Sequence, residues 1–127
     1  LTVSLVLNLV CVHGMHCAVV DVKAAFLQAD ILEDIYIVIN AELAAMFIAL
    51  FPEHSTKRRA DGSIICKLKK AMYGLIQASK LWFLHVRKIL EDEGFICCNL
   101  DDSCLFFRTD PVTGTHHYVL VHVDDFL

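Results

Sequence analysis

A chain of 127 residues, 57% hydrophobic and 20% charged, can bury one real core and is too apolar for a disordered segment. Its net charge of −4 argues against nucleic-acid binding through bulk charge. The apolar runs at residues 1–12 and 43–51 fall short of the ~20 residues a bilayer crossing requires, and the opening lacks the Met and basic residues of a signal peptide, so membrane-spanning and secreted classes are set aside.

In chain order, SLVLNLVCV (residues 4–12) is apolar apart from Asn8 and predicts a short buried helix ending at His13-Gly14. The β-branched run CAVVDV predicts an interior strand with Asp21 near its carboxyl end. KAAFLQADI reads as a helical turn or loop, and IYIVI (residues 35–39) as a second strand. Residues 41–50 have helical propensity and stop before Pro52. The polar loop EHSTKRRADGS turns at Asp61-Gly62 and leads into a strand at IICKLK. The strongest period runs from about Ala71 to Glu93. There Met72, Leu75, Trp82, Phe83, Val86, Ile89 and Leu90 mark an apolar face, while Lys80, Arg87 and Lys88 fall toward solvent. Gly94 ends that helix. SCLFFR and HYVLVHV predict an antiparallel pair joined by TDPVTGTH. The sum is an α+β fold with helices packed on one face of a mainly antiparallel sheet.

Six cysteines without a Cys-x-x-Cys pair, mostly in apolar contexts, point to a reduced intracellular protein with buried thiols. CVHGMHC gathers Cys11, His13, His16 and Cys17, but zinc sites normally come as two separated pairs, and a helix end with a turn at Gly14 explains the stretch. From Gly62 to Leu90 there is no acid and there are six bases, Lys67, Lys69, Lys70, Lys80, Arg87 and Lys88. They fit either a phosphate-following track or a solvated helix face beside a lysine-rich strand edge.

Three acids fall where predicted strands end: Asp21, and the adjacent Asp124 and Asp125. Carboxylates brought that close repel unless divalent cations sit among them. Two hard cations so held can clamp a phosphoryl transfer at its attacking and leaving oxygens. Most Asp-Asp pairs are turns, and Asp101-Asp102 in NLDDSC reads that way. Asp124-Asp125 differs because it ends an almost wholly apolar strand.

Four stretches in order, VVDVKAAFLQADILEDIYI, CKLKKAMYGLIQASKLWF, GF followed by DDSCLFF, and VLVHVDDFL, resemble the reverse transcriptase of Ty1/copia-type retrotransposons. The resemblance covers nearly the whole chain. It implies that residues 1–127 are a truncated polymerase palm with part of the fingers, the thumb, the RNase H domain and the strand after Asp125 being absent. It further implies an RNA-directed DNA polymerase that adds deoxynucleotides to a primer 3′-hydroxyl on an RNA or DNA template. Asp21, Asp124 and Asp125 match the family's metal-binding, catalytic aspartates, with Mg2+ or Mn2+ as cofactor. Phe26 matches an aromatic beneath the nucleotide sugar, where a ring would exclude a 2′-hydroxyl; by sequence alone a core phenylalanine serves equally. Tyr73, Gly74 and Gln77 match the motif lining the incoming nucleotide and template, and His122 stands near the primer where the family usually has tyrosine. Ser79 and Ser103 replace prolines; no departure removes a metal ligand. Implied partners are the template-primer, dNTPs and the rest of a retrotransposon polyprotein, with an intracellular location in cytoplasm, virus-like particle or nucleus. The competing reading is an inactive relic or a structural α+β piece whose acids are only turn residues.

Overall fold

The computed structural model describes residues 2–98, 104–123 and 125–127. In chain order its elements are α1 (Thr2–His13), β1 (Val20–Asp21), a 3-10 helix (Ala25–Gln28), β2 (Tyr36–Ile39), α2 (Ala41–Leu50), a second 3-10 helix (Pro52–Lys57), β3 (Ile64–Lys67), α3 (Ala78–Asp92), β4 (Ile96–Cys97), β5 (Leu105–Thr109), β6 (His116–His122) and β7 (Asp125–Phe126). They form two units, Asp30–Lys70 in one, and Leu1–Ala29 with Ala71–Leu127 in the other. No described helix is long and apolar enough to cross a membrane.

In the Asp30–Lys70 unit, β2 and β3 pair antiparallel with Ile37 opposite Cys66. The Asn40 side chain caps α2 by accepting the Leu43 N–H at 3.0 Å, meeting one of the orphan donors of the first turn. Lys67 pairs with Asp34 and Lys70 with Asp30, exposed contacts of small worth to stability.

The larger unit holds an antiparallel sheet in the order β1-β7-β6-β5-β4. Its centre is the β5–β6 hairpin, where Leu105 faces Leu120 and Phe106 faces Val119. Successive strand residues point to opposite faces, and here neighbours are buried on both: Leu105 with Phe106, Leu120 with Val121. Both faces therefore need cover. Val6 of α1 packs with Leu105 and Leu120, while Phe83 of α3 packs with Phe106 and Trp82 with Phe126. The expectation of helices on one face is thus corrected to one helix on each.

Several elements are smaller or more exposed than their composition predicted. α1 buries only Val6 among its described side chains, because a single stripe of a 3.6-residue helix can face the sheet; Val3, Leu5, Leu7 and Val12 are exposed. β1 is an edge strand of two residues, with Val19 71% exposed, rather than an interior one. α3 starts at Ala78, leaving Met72 and Leu75 outside it, since Gly74 takes φ +97°, a left-handed value that ends any helical run. Ala78, Trp82 and Val86, spaced by four, form its buried stripe, while Ile89 is exposed and Lys80 and Lys88 lie in solvent. The cysteines are not buried: Cys11 and Cys17 are exposed and the other four half-buried. A strand does follow the β6 turn, for β7 begins at Asp125, and its ladder continues through Leu127, whose N–H donates to Leu120 at 2.9 Å.

The predicted loop between β5 and β6 is tied by Asp110. The Thr113 and Val112 N–H groups donate to one of its carboxylate oxygens at 2.9 and 2.8 Å, holding the carboxyl below the usual 3.8. Because the folded value is depressed, this stabilisation is complete above about pH 4 and is lost as pH falls through the folded value. In an NMR titration the Val112 and Thr113 amides should move with a midpoint below the ordinary carboxylate value of 3.8. A transition centred at or above the ordinary carboxylate value would contradict the tie.

Candidate active site

β6 and β7 pair with His122 opposite Asp125, so residues 123 and 124 make the connection. Two-residue hairpin loops favour left-handed backbone and usually recruit Asn-Gly. Here Val123 takes φ +56°, an outlier for a β-branched side chain. The Trp82 indole N–H donates to the Val123 carbonyl, and the same ring meets Phe126 edge-on at 6.4 Å. Asp124 lies outside the described residues, as do Asp101, Asp102 and Ser103.

β7 is flanked by β6 and β1, and its register makes Asp125 the partner of His122 on one side and of Asp21 on the other. His122, Asp125 and Asp21 therefore form a row across three strands at the end of the sheet. Directly opposed side chains start about 4.5–5.5 Å apart at Cβ, and like charges so placed destabilise a sheet. Both carboxylates are exposed, open to solvent or to a cation.

Phe26 and Tyr73 also come together, with ring centroids 4.4 Å apart and planes tilted by 45°. Phe26 is only 7% exposed, whereas Tyr73 is 51% exposed and overlies it on the solvent side. Local backbone sets this up. Ala24, at φ +55°, opens the 3-10 helix carrying Phe26, and its carbonyl accepts the Leu27 N–H at 2.9 Å. The Ala71 N–H then donates to the Ala29 carbonyl at 2.9 Å, bringing the Tyr73 segment alongside. A Cβ on Gly74 would meet nothing within 4 Å, so backbone conformation, not space, is what calls for glycine there. Gln77 is the N-cap residue of α3 and its carbonyl accepts the Leu81 N–H at 3.0 Å.

Trp82 and Val123 were not singled out from the sequence as site residues. A buried indole N–H must find an acceptor, and that was the available signal for Trp82. The basic block does not form one track on one element: Lys67, Lys69 and Lys70 belong to the Asp30–Lys70 unit, and Lys80, Arg87 and Lys88 to α3, where Arg87 pairs with Glu91 at 2.7 Å. In CVHGMHC, α1 ends at His13 and Gly14 turns the chain at φ +60°. Among the described residues no three His, Cys, Asp or Glu side chains converge to hold a metal ion. A largely apolar cavity of about 500 Å³, lined by residues including Val6, Met15, Val20, Tyr118 and Leu127 together with His16, His116 and His117, contains none of the candidate site residues.

All of residues 1–127 match the family described as reverse transcriptase (RNA-dependent DNA polymerase). The chain is 34% identical over 107 residues to the Retrovirus-related Pol polyprotein from transposon RE1 of Arabidopsis thaliana, and 33% identical over 107 residues to that from transposon RE2 of the same plant. Each alignment covers 84% of this chain and 6% of the relative. Against the Retrovirus-related Pol polyprotein from transposon TNT 1-94 of Nicotiana tabacum, it is 26% identical over 126 residues, 99% of this chain and 8% of the relative. No solved structure matches. The match from first residue to last, together with these retrotransposon relatives, means that the chain belongs to the reverse transcriptase (RNA-dependent DNA polymerase) family.

Proposed function

We propose that this chain is a palm-centred part of an RNA-directed DNA polymerase of the copia type, which extends a primer 3′-hydroxyl with deoxynucleotides. The observation that carries the reading is the register of Asp21 against Asp125, with Asp124 adjacent in sequence, in a chain of this family. The donor set fits a hard divalent cation, because carboxylate oxygens are the ligands Mg2+ and Mn2+ prefer and an open sheet end leaves room for water and phosphate oxygens. Asp21, Asp124 and Asp125 would hold it. Bound there, the cation supplies Lewis-acid stabilisation of charge on the transferring phosphoryl group.

The chain's own residues then divide the work. The carboxylate row fixes where the primer 3′-hydroxyl and the nucleotide phosphates meet. Phe26, backed by Tyr73, lies under the sugar, Gly74 and Gln77 line the nucleotide and template, and His122 stands beside the row toward the primer. Template-primer, dNTPs and the remainder of a Pol polyprotein are the partners, and the setting is inside the cell. Adding Mn2+ to the full chain should broaden the NMR signals of Asp21, Asp124, Asp125 and the neighbouring His122 before all others. Uniform or absent broadening would remove the metal site.

A further inference from the structure

We infer that Trp82 is a positioning residue for the carboxylate row: its indole N–H clamps the Val123 carbonyl and holds the turn from which Asp125 faces Asp21. The inference rests on reading Asp21, Asp124 and Asp125 as metal carboxylates. Trp82 is 4% exposed, so its N–H cannot go unpaired without penalty. It bonds to a backbone carbonyl 41 residues away, in the turn between β6 and β7.

What it holds is strained. A valine at φ +56° persists only where the surroundings over-determine it. The single Trp82 side chain touches the turn on both sides of the acids, at the Val123 carbonyl through its N–H and at the Phe126 ring through its edge. Asp125 sits between these two anchored points. The anchor is itself fixed, because Trp82 belongs to the buried stripe of α3 with Ala78 and Val86. A packing role alone would use the ring and make no demand on the N–H. The two contributions can be separated, since Trp82→Phe removes the donor and keeps a ring, and Val123→Gly removes the need for a clamp by making the left-handed conformation easy.

Trp82 is the chain's one tryptophan, so the full chain gives a single indole N–H signal. That signal should be shifted downfield and slow to exchange; a solvent-like shift with fast exchange overturns the clamp, whatever the variants do. Mn2+ affinity is then compared in four proteins, the wild type, Trp82→Phe, Val123→Gly and the double variant, with cooperative thermal unfolding checked in each. Trp82→Phe should bind Mn2+ about tenfold more weakly, as expected when a group supporting metal ligands is lost. In the Val123→Gly background the same change should cost much less. Unchanged affinity in a folded Trp82→Phe protein, or an equal loss in both backgrounds, rejects the inference. If the wild type binds no Mn2+, the metal reading fails on its own while the indole signal still judges the clamp.

Discussion

Asp21→Asn should abolish primer extension by a polymerase that carries this chain, and should at the same time raise the stability of the metal-free fold. The two effects have one cause. Asp21 and Asp125 are register partners, so without a cation the end of the sheet carries two negative charges side by side. Replacing one carboxylate by a neutral amide of nearly the same shape removes that repulsion and leaves the β1–β7 pairing intact. The same change takes away a hard ligand, and an amide holds Mg2+ poorly. At a cation concentration about 100 times the dissociation constant, the wild type should gain about 2.7 kcal/mol from binding, and Asp21→Asn close to nothing. Denaturant melts with and without Mn2+ therefore read both halves. A variant less stable than the wild type without metal, or one that still extends primers, would show that the row is not a repelling pair gathered for a cation.

The parts of this arrangement that depend on local pattern were readable in advance. The β5–β6 hairpin follows from two apolar runs around the turn residues of TDPVTGTH, and the residues between its strands are tied by Asp110 as such a loop requires. The stop of α3 at Gly94, at φ +81°, and the α2 helix before Pro52 likewise follow from single residues whose backbone demands are strong. Non-local pairing set the limits. CAVVDV has strand composition throughout, but only Val20 and Asp21 find a partner, because the partner strand is the short β7 at the far end of the chain. The spacing of Met72 and Leu75 fits a helix well, and the left-handed Gly74 between them overrides it. Neighbouring apolar residues in β5 and β6 already implied a sheet buried on both faces, against the expectation of helices on one face only.

The site divides in the same way. Asp21, Asp125 and His122 were singled out on motifs, and sequence position alone could not align them across three strands, since register depends on contacts far apart in the chain. Phe26 was weighed equally as a sugar-facing aromatic and as a core residue, and its geometry carries features of both. It is nearly buried, as a core residue is, and its ring meets the exposed ring of Tyr73. That Tyr73 would meet Phe26 was not legible, because it follows from two left-handed residues, Ala24 and Gly74, of which only the glycine signals its conformation by type. Val123 gave no warning either, since a β-branched residue is among the least expected at positive φ.

Phe26→Ala should lower the stability of the chain by about 3–5 kcal/mol and, in a polymerase that carries it, admit ribonucleotides far more readily. The first effect follows from burial: removing a ring that is 7% exposed loses its transfer free energy and leaves a hole beside Tyr73, which can settle only partly into the space. The second is steric. A ring under the sugar occupies the volume a 2′-hydroxyl needs, so its loss should act on the ratio of kcat/KM for deoxy- and ribonucleotides while Mn2+ affinity stays near that of the wild type. Stability and selectivity can then be told apart by Phe26→Leu. Leucine refills most of the apolar volume and should recover much of the lost stability, yet it lacks the flat reach of the ring and should keep a relaxed sugar preference. If both variants lose stability in proportion to volume and neither alters the sugar preference, Phe26 is a core residue that only supports Tyr73, and the selectivity of the enzyme must be sought at another side chain.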